Sequence, residues 1–155
     1  MIRVLFVCLG NICRSPMAEA VFRHRVLEEG LVEKIEVDSA GTALWHSGKP
    51  PHEGTRNKLD EVGISYDGMT ARQIRQDDFD RFQYVIVMDE DNLSNLRAEY
   101  DIPDHVVVKK LLDFLEDNPE KNVPDPYYTG DFQETYELVT AATEALLREI
   151  IDKNE

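Results

Sequence analysis

A chain of 155 residues is long enough to bury a core without disulfide or metal staples, and it is read as one domain spanning 1–155. Seventeen basic residues against 31 acidic ones leave a formal net charge of −14, which argues against nucleic acid or anionic membrane lipid as a general partner. The chain has only two cysteines, which excludes a disulfide framework and favours a reducing, cytoplasmic setting; the apolar start is broken by Arg3 and too short for a cleaved signal, so only export without one is left open.

The first expected element is the run Ile2 to Val7. Val4, Leu5, Phe6 and Val7 follow one another without polar alternation, as in a strand buried on both faces. The run empties into Cys8-Leu9-Gly10-Asn11-Ile12-Cys13-Arg14-Ser15, after which Pro16-Met17-Ala18-Glu19 opens a helical pattern. Gly10 and Asn11 are residue types that adopt positive φ at little cost, so successive backbone N–H groups can converge on one point. Such a concavity binds anions. The helix behind it, read as capped by Ser15 with Pro16 in its first turn, adds partial positive charge. A phosphate or similar oxyanion is the expected guest.

Two side chains turn this cradle into a candidate reaction site. Cys8 stands at the carboxyl end of the strand, where loop amides, helix dipole and Arg14 all favour a nucleophilic thiolate. Arg14 carries a fixed fork of donors that matches two phosphoryl oxygens and can follow them into a transition state. Ser15 can donate its hydroxyl to the sulfur when the sulfur leaves. A lone Cys after a strand is ordinarily a small buried hydrophobe. Cys, five residues, Arg and then Ser at a strand-to-helix turn is much more specific. This octet, with Pro16-Met17-Ala18-Glu19, resembles the signature loop of the low-molecular-weight protein tyrosine phosphatases, and the resemblance runs along nearly the whole chain. It implies a four-stranded parallel twisted sheet flanked by helices on both faces, with the phosphate-binding loop (Leu9, Gly10, Asn11, Ile12, Cys13 and Ser15) after the first strand.

From Met17 to Leu27, Ala18, Val21, Phe22 and Val26 share one helical face, and Gly30 marks a stop. Ile35, Val37 and Ser39 form a second strand ending in Ser39-Ala40-Gly41. The resemblance implies that Ser39 hydrogen-bonds Asn11 and holds it left-handed; ordinary turn chemistry is the alternative. Thr42 to Pro51 is a loop. The resemblance makes it one wall of a substrate cleft, with Trp45 packing on a phosphotyrosine ring; alternatively, Trp45 caps a satellite cluster. His46 and His52 lack partners at metal-ligand spacing and are read as loop surface and helix face.

Pro51 to Val62 reads as a helix with His52, Thr55, Leu59 and Val62 on one side, ended by Gly63. Many members of the family carry a histidine where this chain has Met69, so the polar network behind the loop is expected to be thinner. A short acidic helix over Gln76 to Phe82, a strand over Tyr84 to Met88, a helix around Leu93 and Leu96, a strand at Val106 to Val108 and a short apolar element at Leu111 to Leu115 complete the βα alternation. Alternation of this kind implies right-handed crossovers and a parallel sheet. Asp89, at a strand's carboxyl end, has a mainly structural part by the resemblance.

Val123-Pro124-Asp125-Pro126-Tyr127-Tyr128 is the second chemical motif. Two prolines fix the chain around one carboxyl group. Taken alone it reads as a turn; the resemblance places it over the cleft, with Asp125 as general acid and then base. Tyr127 and Tyr128 either line the cleft or pack under a last helix, which starts at Asp131 with Glu134 as a capping box and buries Phe132, Tyr136, Val139, Leu146 and Ile150.

The expected activity is hydrolysis of phosphotyrosine in a protein or peptide through a phosphocysteine. Cys8, Arg14 and Asp125 are its catalytic set, with no metal and no other cofactor called for. Cys13, separated from Cys8 by four intervening residues, is either a reversible disulfide partner for it or a small buried side chain. A phosphoarginine phosphatase branch typically has Thr where this chain has Ile12, and arsenate reductases on the scaffold use cysteines outside the loop, which this chain lacks.

Overall fold

Both faces of the first strand are covered, which accounts for its unbroken apolar run. In the computed structural model, which describes residues 1–154, β1 (Ile2–Cys8) sends Val4, Phe6 and Cys8 into one core and Leu5 and Val7 into another. It is paired in parallel on each side. β2 (Ile35–Gly41) matches Ile2 with Ile35 through Cys8 with Gly41, and β3 (Tyr84–Val87) matches Val4 with Tyr84. β4 (Val107–Lys110) joins β3, giving the order β2-β1-β3-β4 with all strands parallel. Open α/β sheets bind ligands beyond the strands' carboxyl ends where the order reverses, here between β1 and β3.

Helix α1 (Arg14–Glu28) carries the chain from β1 to β2, and Ala18, Val21, Phe22 and Val26 face the core as expected. With α2 (Glu53–Val62) and the long α6 (Phe132–Lys153) it covers the face that contains Phe6 and Cys8. The short α3 (Asp78–Arg81) and α4 (Glu90–Glu99) cover the other, where Phe79 and Leu96 pack on Leu5, Val7, Val85 and Val87. A 3-10 turn (Leu111–Phe114) follows β4, and α5 (Pro126–Thr129) precedes α6.

Four local expectations need correction. Ser15 does not cap α1, which begins at Arg14 after Cys13; its hydroxyl is used elsewhere. Helix α2 starts at Glu53, because His52 is its cap and accepts from the Gly54 amide through Nδ1. Val62 lies on the solvent side. Asp131 caps α6 by accepting from the Glu134 amide, but its own amide donates to Thr129 Oγ1 and not to the Glu134 side chain, so the expected capping box is half formed; Phe132 and Tyr136 are half-buried while Val139, Leu146 and Ile150 are fully buried. Among the described residues no helix is long and apolar enough to cross a membrane.

Candidate active site

The loop between β1 and α1 is bent by one left-handed residue, Asn11, at φ 56°. Its side chain is tied on every side. Nδ2 donates to Ser15 Oγ at 2.8 Å and to Ser39 Oγ at 2.9 Å, while Oδ1 accepts from the Arg72 amide at 3.0 Å. Both N–H donors and the oxygen of that amide are therefore engaged, and exchanging the two ends would break all three bonds, so the buried amide has one orientation. The contact between Ser39 and Asn11 that the resemblance implied is present.

Behind Asn11 the polar chain continues inward. Ser39 Oγ donates to Glu19 Oε1 at 2.6 Å, and Arg23 pairs with the same carboxylate and donates to the Val37 carbonyl. Burial raises the Glu19 pKa, while Arg23 and Ser39 work against that shift. Met69 is half-buried against the core near this point. Glu19 and Arg23 extend the network on this side, a placement that only the fold reveals. Arg72, whose amide holds Asn11, is itself clamped by Asp38 and by the fully buried Asp78.

The floor of the loop is Cys8, whose Sγ lies 3.0 Å from Ser15 Oγ. A thiolate can only accept, so in the ionised state the hydroxyl donates to it. The Ser15 oxygen meanwhile accepts from Asn11, and its proton has two acceptors within reach, the sulfur at 3.0 Å and the Ala40 carbonyl at 3.5 Å. Gly41 closes the loop from the side of β2. A Cβ there would stand 2.8 Å from the Leu9 carbonyl oxygen and 3.1 Å from the Asn11 amide nitrogen, so only glycine admits this approach. The Thr42 and Ala43 amides bind the carbonyls of Cys8 and Leu9, fixing the loop's back.

Arg14 is 3% exposed, unusually deep for a guanidinium. Nη1 donates to Asp89 Oδ2 at 2.6 Å and to the Val123 carbonyl at 2.9 Å. Nη2 is 3.5 Å from Asp125 Oδ2, and Nε is buried without a hydrogen-bond partner. Burial by itself would lower the pKa of this group; the charges of Cys8, Asp89 and Asp125 outweigh it and raise the value. One edge of the fork is thus anchored to Asp89, and Nε remains a donor with nothing to bond. An oxyanion at the loop supplies the acceptor such a donor needs.

Asp125 is the N-cap of α5, with Oδ1 accepting from the Tyr127 amide at 3.1 Å while Oδ2 faces Arg14. Cys8, Leu9, Gly10, Ile12, Cys13 and Asp125 line one cavity of about 140 Å³, which Trp45, His46, Tyr127 and Tyr128 also line. Trp45 and Tyr128 are largely exposed, at 67% and 75%, so the cleft has an exposed aromatic mouth over a floor in which Cys8, Ile12 and Cys13 are buried. Every residue of the expected catalytic and cleft sets is thus at this cavity except Arg14 and Ser15, which sit behind its floor, and Asn11 and Ser39, which hold the loop. Cys13 is a buried free thiol; burial first, then the charges of Asp125 and Cys8, push its pKa up to about 12.

Sequence reasoning passed over Gly41, Glu19, Arg72 and the grip of Asp89 on Arg14. Gly41 and Asp89 had a local signal, since each ends a strand at the sheet's carboxyl edge. Glu19 stands in the Pro16-Met17-Ala18-Glu19 stretch that carries the resemblance, but neither it nor Arg72 has a local pattern that discloses its role.

Comparison with known proteins follows the same lines. The family model described as low molecular weight phosphotyrosine protein phosphatase matches residues 3–155. The low molecular weight protein-tyrosine-phosphatase YfkJ of Bacillus subtilis is 53% identical over 150 residues, covering 97% of this chain and 96% of the relative. PtpA of Staphylococcus epidermidis, with the same description, is 44% identical over 151 residues, covering 97% and 95%. The crystal structure of YfkJ superposes with a TM-score of 0.97 at 51% identity, covering 100% of this chain and 98% of that one.

Proposed function

The chain belongs to the low molecular weight phosphotyrosine protein phosphatase family, and from that premise we propose that it hydrolyses phosphotyrosine monoesters of cytoplasmic proteins by two-step transfer through Cys8. In the first step the Cys8 thiolate attacks phosphorus in line, and the S–P bond forms as the P–O bond to the phenol breaks. Asp125 gives its proton to the departing phenolate oxygen. In the second step the same carboxylate takes a proton from water, whose oxygen attacks phosphorus and releases inorganic phosphate with the thiolate restored. Ser15 donates to the sulfur as it leaves.

The loop amides, the α1 terminus, and Nε and Nη2 of Arg14 stabilise the equatorial oxygens. They act around a buried floor, where donors fixed in advance are worth most. The observation that carries this reading is how three groups meet around one cavity: a buried sulfur and the Asp125 carboxyl group in its lining, and, behind its floor and 3.5 Å from that carboxyl group, a buried guanidinium with an unused Nε donor. Trp45, Tyr127 and Tyr128 at the mouth supply the faces on which an aromatic leaving group stacks.

Because Asp125 must carry a proton while Cys8 is ionised, turnover should peak at mildly acidic pH and fall on both sides. Steady-state hydrolysis of p-nitrophenyl phosphate and of a phosphotyrosine peptide across pH tests this. A flat profile, or a rate that keeps rising with pH, contradicts the pairing.

A further inference from the structure

Beside the cleft lies a second concavity, of about 340 Å³, and the two share Ile12, His46 and Tyr127 as their common rim. Its other walls include Lys49, His52, Glu53 and Arg56. In a chain that carries 31 acidic residues against 17 basic ones, two cations and two imidazoles around one hollow run against the average. The cations are also uncommitted. Lys49 is exposed, with Nζ 3.3 Å from His46 Nδ1, and half-buried Arg56 donates through Nε to the Pro51 carbonyl at 2.9 Å. Neither has a carboxylate within 4.0 Å among the described residues. Elsewhere Arg23, Arg25 and Arg72 are each held by carboxylates.

The hollow is firmly built. His52 caps α2, stacks on Phe132 with ring centroids 5.4 Å apart and meets Tyr127 edge-on at 5.8 Å. His46 is held against the phosphate loop, since a Cβ on Gly10 would lie 3.0 Å from its ring. The shelf therefore keeps a fixed place relative to the sulfur.

We infer that this shelf is a subsite for an anionic side chain of the substrate, a carboxylate or a second phosphate close in sequence to the phosphotyrosine, bound by Lys49 and Arg56. The inference rests on the reading that the cleft takes phosphotyrosine. A peptide whose phosphotyrosine fills the cleft leaves across the Ile12–His46–Tyr127 rim, and an extended chain advances about 3.5 Å per residue, so a neighbour within about three residues reaches the shelf. The chain's many distant carboxylates do not cancel the attraction, because at physiological ionic strength charges beyond about 8 Å are largely screened. Glu53, exposed in the first turn of α2, is the one opposing charge on the shelf and lowers its pull on anions.

The test compares kcat/KM for three phosphotyrosine peptides identical except for flanking Glu, Ala or Lys, with p-nitrophenyl phosphate turnover measured on each enzyme preparation. For the wild-type chain at physiological ionic strength, the Glu peptide should exceed the Ala peptide by about three- to fivefold, as exposed ion pairs allow. The advantage should shrink as salt rises. Lys49→Glu should abolish or invert that ratio, and Glu53→Gln should enlarge it. Lys34→Glu makes the same change of net charge at an exposed position at the far end of the sheet and should leave the ratio as in wild type. Wild type that turns over p-nitrophenyl phosphate yet shows no Glu preference overturns the subsite alone. Equal loss of the preference in Lys34→Glu and Lys49→Glu also overturns it, because the effect is then one of overall field. Wild type that hydrolyses none of these substrates overturns the phosphatase reading and the subsite with it.

Discussion

The loop from Cys8 to Ser15 and the segment from Asp125 to Tyr128 line one cavity or back onto its floor, but they are held in different ways. In the loop, Asn11, Arg14 and Ser15 are buried and every one is hydrogen-bonded to distant chain: to β2, to Asp89 at the cap of α4, to the Arg72 amide or to the Val123 carbonyl. In the acid segment, Tyr127 is 53% exposed and Tyr128 still more so. That segment depends on two prolines, on the Thr135 hydroxyl at the Pro124 carbonyl and on Arg14 at the neighbouring Val123 carbonyl. The two tasks differ in the same sense. Charge that develops on phosphorus-bound oxygens needs many dipoles already aimed, whereas a proton donor needs one carboxyl group in reach. Arg14 joins the two, since Asp89 holds one edge of it and Asp125 stands at the other.

If the loop carries the electrostatic part, damage there should be deepest. Arg14→Lys keeps the charge but loses the fork, and kcat on phosphotyrosine peptides should fall about 10³-fold; a loss below tenfold would separate Arg14 from the transition state. Asp125→Asn should cost about 10²-fold on phosphotyrosine. It should cost less on p-nitrophenyl phosphate, whose leaving group is a weaker base, and equal losses on both substrates would remove Asp125 from proton transfer. Gly41→Ala tests whether the loop's rigidity matters, because the new methyl must displace the Leu9 carbonyl. About 1–3 kcal/mol of stability in urea unfolding and about tenfold in kcat are expected to be lost.

The smallest effect concerns Cys13. Its folded-state pKa, about 12, is above the ordinary 9.0, so the unfolded chain releases this proton at lower pH than the folded one. The corresponding stability is fully present below pH 9.0 and is lost as pH rises toward 12. Urea unfolding of Cys13→Ala should show a shallower decline over that window than wild type. Parallel declines would mean that Cys13 ionises as readily in the fold as out of it.

What was legible in the sequence was what lies together along it. The apolar run into Cys8, the Gly10-Asn11 bend and the Arg14-Ser15 start of a helix are consecutive, so their joint meaning survives without a fold. Ser15 reads as a cap because a serine before Pro16 has a local use, and nothing local reveals that its hydroxyl is taken by Cys8 and Asn11. His52 was placed on a helix face for the converse reason, since an imidazole that caps is rarer than one that packs. The partners that make the loop rigid are far off: Ser39 is 28 residues from Asn11, Arg72 is 61, and Asp89 is 75 from Arg14. Parallel β1, β2 and β3 bring these positions to one edge of the sheet, and only the strand order discloses it. The exchange of the family's usual histidine for Met69 shows the same limit. The substitution was visible, but the Glu19–Arg23 pair that extends the network was not.

The account stands on a covalent bond between phosphorus and one sulfur. Rapid acid quench of the Asp125→Asn variant during turnover of a phosphotyrosine peptide, followed by peptide mapping, measures it directly. The phosphoryl group should accumulate on Cys8 and on no other residue, and Cys8→Ser should give neither label nor turnover. Turnover that persists in Cys8→Ser, or a label that maps to Cys13, would contradict it.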